Sequence, residues 1–256
     1  MAELLATYGP GVVAACFAVL FAAGFVKGTV GFALPMVAVS GVGSLMTAEL
    51  AVAAILAPAL VTNLQQAFRQ GFGAAAATLR RFWRLNLTLV LLIGLIAQAV
   101  PLLPDRVFFL ILGGVVTGVG LLQLIGWRPR FPPHRAGRAE WIGGGIAGVF
   151  GGLAGVWGPP IVLYLLAREV PKTEMVRAQG ISYLIGSVIL VGAHIPSGVL
   201  NGVTAPFTAL LVIPALTGMA LGVWVQDRLD QALFRKATLA VLILAGLNLL
   251  RRGLMG

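Results

Sequence analysis

Residues 178–226 read AQGISYLIGSVILVGAHIPSGVLNGVTAPFTALLVIPALTGMALGVWVQ, with no Asp, Glu, Lys or Arg among them. A helix that crosses a bilayer needs about 20 apolar residues, so this stretch predicts two spans and a short turn. The pattern extends over the chain. Between Leu4 and Ala48 the sole ionic residue is Lys27. Of the 256 residues, 59% are hydrophobic and 10% charged, and the mean hydropathy is +0.99. Soluble domains carry about 25% charged residues, so this chain has too little polar surface to fold in water.

Working outward, apolar runs occupy 10–26, 30–46, 50–68, 85–103, 107–127, 141–157, 159–167, 176–196, 205–225 and 232–250. Isolated strands cannot satisfy their backbone groups in lipid, and no strict alternation marks a barrel. Helices are therefore expected, with lengths that suit full spans except at 159–167, which is too short to cross alone. The predicted fold class is an all-α polytopic membrane protein with about 8–10 membrane segments, some of them broken or re-entrant.

The net charge is +10, from 18 basic and 8 acidic residues. The basic residues gather in connections: Arg69, Arg80, Arg81 and Arg84; four arginines in 128–138; Arg168, Lys172 and Arg177; and the segment 227–236. The turns at 47–49 and 197–204 carry none, and 104–106 carries one. The positive-inside rule puts the first group in the cytoplasm and the second outside, as expected of a multi-pass protein of a bacterial inner membrane. Arg251 and Arg252 fit this topology less well if the tail is external. With its cations spent on loops, the chain shows no nucleic-acid face. One cysteine, Cys16, excludes a disulfide within the chain. The first apolar run lacks a basic leader and does not read as a cleavable signal.

The chain also repeats itself. AGFVKGTVGFALP begins at Ala23 and AGVFGGLAGVWGP at Ala147. Gly24, Gly28, Gly31 and Pro35 align with Gly148, Gly152, Gly155 and Pro159 at a constant offset of 124. At an offset of 125, Glu49 matches Glu174, Asp105 matches Asp230 and Phe109 matches Phe234. Charges and a proline coincide less readily by chance than glycines do. The expected organisation is a first repeat over 1–127, an Arg/Pro-rich cytoplasmic linker over 128–140 and a second repeat over 141–256. The charge pattern starts the copies on opposite sides of the membrane, which makes two inverted-topology repeats. Glycine- and proline-interrupted segments at matching places in both halves point to a transporter site near the bilayer midplane.

Gly24 to Pro35, the run FGGLAGVWGPPIVLY from Phe150 to Tyr164 and the segment AQGISYL from Ala178 to Leu184 resemble the TauE/SafE family of membrane transporters, also called sulfite exporters. The resemblance covers nearly the whole chain, and GPPIVLY is its most specific part. It implies transport, mostly outward, of small sulfur-containing anions such as sulfite, sulfoacetate or other organosulfonates. The chain departs from the family at Ala53 to Leu56, where many relatives carry a Thr-Ser pair, and at Thr29 and Phe32, where a longer glycine run is common. These departures bear on the substrate.

The residues suggest how an anion would be held at the repeat interface. A helix that stops inside the membrane offers unpaired N–H groups and a positive dipole end, which suits an anion. Glycine lets the backbone approach it closely. Gly28, Gly31, Gly152 and Gly155 are candidates on that ground, although glycines at such spacing also serve simply to pack helices. Lys27 is an ionisable group in an apolar run, costing about 2.5–3.5 kcal/mol on insertion scales, and so reads as functional. Its alternative is to snorkel to the interface. Thr29, Asn63, Gln66, Gln179, Ser182 and Tyr183 could complete the donor shell, or merely bond helix to helix. Trp157 would either stack over the ligand or belt the external interface.

The expected function is a secondary transporter exporting sulfur-containing anions by alternating access. An importer or channel of the same fold is the alternative. An intramembrane enzyme is disfavoured: Ser187 and His194 on one helix are about 10 Å apart by rise, too far for activation. No cofactor and no metal are expected. The expected partners are the small anionic substrate and the lipid bilayer, with a homodimer left open.

Overall fold

Between Lys27 and Pro35 the backbone leaves the helix. Gly31 adopts φ +88° and Ala33 φ +77°, left-handed values that glycine takes freely and alanine resists. One helix stops at Val30, and the next begins at Leu34 with Pro35 in its first turn, where the missing N–H is no loss. The computed structural model describes residues 2–96, 105–127, 136–154, 157–195 and 198–255. They form eleven helices and no strand: α1 (Ala2–Val30), α2 (Leu34–Gly43), α3 (Ala48–Phe68), α4 (Phe72–Arg81), α5 (Trp83–Ile96), α6 (Asp105–Leu124), α7 (Ala136–Ala154), α8 (Gly158–Ala167), α9 (Lys172–His194), α10 (Thr204–Arg228) and α11 (Gln231–Met255).

Among the described residues five helical stretches are long and apolar enough to cross a membrane: Leu4–Val30, Glu49–Phe68, Lys172–Gly192, Thr204–Arg228 and Gln231–Met255. Shorter apolar helices accompany them. The chain is a polytopic all-α membrane protein. Three elements differ from the sequence expectation. The run 30–46 is not a span, because only the 10 residues of α2 are helical there. At 1.5 Å per residue, α2 and the 10-residue α8 each reach about 15 Å, half the hydrocarbon thickness. The charged connection 69–84 contains the helix α4, and α7 begins at Ala136, within the segment read as a linker.

The chain forms two compact units. Unit 1 comprises Met1–Arg69 and Gly180–Leu229; unit 2 comprises Gln70–Gln179 and Asp230–Gly256. Each draws helices from both sequence halves, and α9 passes from one unit to the other between Gln179 and Gly180.

In unit 1, α1 lies along α10 and α2, while α3 packs on α2 and α10. Cys16, Leu20 and Ala23 of α1, and Leu34, Ala38 and Val42 of α2, follow the spacing of one helix face. They close a core with Ala54, Phe207, Leu211 and Ala215. The α1–α10 crossing depends on missing side chains. A Cβ on Gly24 would run into the Ala215 backbone, and one on Gly28 into Met219 O and Gly222. Gly218 and Gly222 stand equally close to the backbone at Phe21 and Phe25. This is close small-xxx-small packing between α1 and α10.

In unit 2, α5 packs on α7, α6 on α11, and α8 against α7 and α6. Gly144 meets the backbone of Leu85, and Gly148 meets Leu92. Glu140, 5% exposed, accepts hydrogen bonds from the N–H groups of Arg84 at 2.9 Å and Leu85 at 3.2 Å. A carboxylate of α7 therefore caps the first turn of α5, where orphan donors and the dipole favour it.

Candidate functional site

Unit 1 gathers a set of polar side chains around the end of α1. Lys27 is 2% exposed, so it does not snorkel out. Its Nζ donates to Asn63 Oδ1 of α3. Asn63 Nδ2 donates to Ser187 Oγ of α9 at 2.7 Å, and Ser187 Oγ donates to Tyr183 O at 2.8 Å. This chain ties three helices to one ammonium group. Its partner Asn63 is neutral, and among the described residues no carboxylate forms an ion pair with Lys27. A buried cation facing only neutral groups is poorly compensated. A mobile anion would supply what the protein withholds.

The break after α1 is held from two sides. Gln66 Nε2 of α3 donates to Gly31 O at 2.9 Å, and Gln226 Nε2 of α10 donates to Thr29 O at 3.2 Å. Neither half-helix has a side-chain cap, at Ala33 before α2 or at Trp157 before α8. In α2 this leaves the first-turn N–H groups without that partner, whereas the first turn of α8 holds Pro159 and Pro160, which have no N–H. Asn63 stands five residues before the end of α3 and fifteen after its start, about 7.5 Å and 22 Å by rise. The Lys27 site thus lies in the Arg69 half of α3, midway between its centre and its end, whereas the paired interruptions suggested the midplane.

The sequence candidates divide between the units. Lys27, Gly28, Thr29, Gly31, Asn63, Gln66, Ser182 and Tyr183 belong to unit 1. Gly31 supplies the turn, and its carbonyl is the acceptor for Gln66. Thr29 gives its hydroxyl to Phe25 O at 2.9 Å. Gly28 faces the α10 backbone, so helix packing accounts for it. Ser182 and Tyr183 are buried on α9.

Gly152, Trp157 and Gln179 belong to unit 2, and Gly155 lies outside the described residues. Gly152 is within α7. Gln179 is fully buried, and neither its amide oxygen nor its nitrogen has a hydrogen-bond partner among the described residues. Trp157 covers Gly151, where an added Cβ would come within 3.2 Å of Cε3 of the indole. Gly151 aligns with Lys27, and at this position the second half has an aromatic ring packed close where the first half has an ammonium.

Sequence reasoning missed Gln226, which stood out only as the edge of the uncharged stretch. Ser187 was among the polar residues within spans, weighed as a donor and as a nucleophile beside His194, but not as the partner of Asn63. Nothing in the sequence ties either of them to α1.

The family model described as "Sulfite exporter TauE/SafE" matches residues 16–249. The chain belongs to this family. The match takes in all of the Lys27, Asn63, Ser187 and Gln226 set. Neither a curated protein nor a solved structure matches the chain at a significant level. As a TauE/SafE member the chain is a membrane transporter of the sulfite-exporter type. The broken helix carrying Lys27 is the feature of this member with the clearest anion chemistry.

Proposed function

We propose that this TauE/SafE protein exports small sulfur-containing anions, among them sulfite, sulfoacetate and related organosulfonates, by alternating access of its two repeats. The single observation that carries the reading is Lys27, buried beside the α1–α2 break with a neutral hydrogen-bond partner. A sulfite or sulfonate group brings a negative charge and three acceptor oxygens. The ammonium supplies charge compensation, and the amide of Asn63, already oriented by Ser187, can turn its donor to an oxygen. The uncapped start of α2 adds N–H groups and the positive end of a short helix dipole.

Export needs no proton relay. A monoanion leaving a cell gains about 2.3 kcal/mol per 100 mV of inside-negative potential, and a dianion twice that. The acidic residues stand at helix ends or in connections: Glu49 and Glu174 in the first turns of α3 and α9, and Glu140 at the cap of α5. The potential is the proposed driving force, with the Arg-rich connections on the cytoplasmic side.

The test is uptake of labelled sulfite into inside-out membrane vesicles. Lys27→Gln should abolish uptake while the protein still reaches the membrane at wild-type amounts, and wild-type uptake should follow the imposed potential. Uptake that ignores the potential but stops when the pH gradient is collapsed would overturn the driving force. Full transport by Lys27→Gln would remove the proposed site.

A further inference from the structure

One helical turn and a half beyond Asn63, α3 ends at Phe68 and Arg69 caps it. Arg69 Nη2 meets Asp227 Oδ2 at 2.6 Å, and its Nη1 meets Gln226 Oε1 at 3.5 Å. Gln226, itself buried, spends its amide nitrogen on Thr29 O at 3.2 Å. One guanidinium therefore touches a carboxylate on one edge and, on the other, an amide that grips the last turn of α1 two residues from Lys27. The Arg69 and Asp227 side chains are 32% and 52% exposed, so this pair lies at the protein surface while Lys27 is buried.

We propose that Arg69 is a loading site for the anion, one step outside Lys27, and that Asp227 is the carboxylate the anion displaces. The inference rests on the reading of Lys27 as the inner anion site. Three physical features support it. A planar guanidinium binds oxyanions in two-pronged fashion, and a sulfite or sulfonate presents the same paired oxygens as a carboxylate. An ion pair this exposed is weak, so a competing anion can replace its carboxylate. The exchange is also balanced in charge: one anion leaves Arg69 for water as another arrives, and no cation is bared. Drawing Arg69 toward the cargo loosens its hold on Gln226 and, through Gln226, on Thr29. The loading of Arg69 and the freeing of the last turn of α1 are then one event, and Lys27 becomes the next cation inward.

The obvious alternative is a plain structural ion pair between α3 and α10. The two differ in kinetics rather than in stability. With the full-length chain in inside-out vesicles and labelled sulfite as the probe, Arg69→Gln should raise KM about tenfold with kcat within about twofold. Arg69→Lys should recover part of the loss. Asp227→Asn, which removes the competing carboxylate without touching the cation, should lower KM several-fold. In the reversed pair, Arg69→Asp with Asp227→Arg, a structural role predicts normal KM and a loading site predicts a raised one. KM unchanged in Arg69→Gln and Asp227→Asn, with Lys27→Gln still inactive, would overturn the loading site and leave the inner site standing. Wild-type vesicles that move neither sulfite nor sulfoacetate would instead overturn the anion reading itself, and the loading site with it.

Discussion

Lys27 and Gly28 are neighbours with opposite tasks. The lysine turns toward α3, where Asn63 Oδ1 receives it and Asn63 in turn donates to Ser187 of α9. The glycine turns toward α10, where any side chain would strike Met219 O. Both residues were legible in the sequence as unusual, since one is a charge in an apolar run and the other sits in a Gly-xxx-Gly pattern. Which of them faces a cargo was not legible, because the pattern that lets a backbone approach a ligand also lets it approach another helix. The packing role has a direct test. Gly28→Ala should lower the thermal midpoint of the detergent-solubilised protein, at the upper end of the about 1–3 kcal/mol that overpacking costs, because backbone cannot yield as a side chain does. Gly114→Ala is the control. It also lies in a Gly-xxx-Gly pattern, with Gly118, yet nothing stands within 4 Å of its added Cβ, so its midpoint should stay at or rise slightly above the wild-type value. Equal midpoints for the two variants would show that the α1–α10 crossing tolerates a methyl group.

At the scale of elements, the two ten-residue helices α2 and α8 recur at matching places in the sequence halves. Proline in the first turn and an uncapped start are common to both. The sequence located these breaks well, because glycine and proline act on their own backbone. It located α4 and the start of α7 poorly. Helix α4 buries Ala75 and Thr78 and exposes Phe72, Ala76 and Leu79 on another face, followed by Trp83. Its charge density hid that amphipathic pattern, which suits a helix lying at a headgroup boundary. Glu140 looked like the end of a linker and is instead the cap of α5. Glu140→Ala leaves two N–H groups in a partly buried first turn without their acceptor, a loss of about 1 kcal/mol or more. The expected result is a thermal midpoint lower by several degrees, with Glu140→Gln, which keeps an acceptor, falling less. An alanine variant that melts with the wild type would remove the capping role.

For the whole molecule, compact units and sequence halves are different partitions. Unit 1 takes α10 from the second half to pack on α1, and unit 2 takes α5 from the first half to pack on α7. In the proposed inverted repeat these are equivalent pairings, the first helix of one copy meeting α10 and that of the other meeting α5. The two partners correspond once α4, a helix of the first half without a counterpart among the described residues, is set aside. Orientation is the property of the whole chain that this proposal stakes most on. With Cys16 the single native cysteine, and buried, new cysteines report cleanly. Thr47→Cys and Asn201→Cys should react with a membrane-impermeant maleimide added to intact cells, whereas Gly71→Cys and Trp127→Cys should react only in inside-out vesicles. All four positions are exposed. Labelling of Gly71→Cys from outside would invert or break the topology.

The sequence by itself determined the solvent, the helical class and the glycine- and proline-marked places where helices break. These are properties of local composition: apolar length against the bilayer thickness, and glycine or proline against backbone hydrogen bonding. It also carried the family. Only the tertiary structure decided what Lys27 meets, because Asn63 and Ser187 are brought to it by α3 and α9 across long separations in the chain. The same holds for Arg69, Gln226 and Asp227, whose side chains converge because the ends of α1, α3 and α10 come together there. A single sequence records side-chain chemistry and local spacing, but contact between distant helices depends on how their faces pack, and that is settled only when the chain has folded.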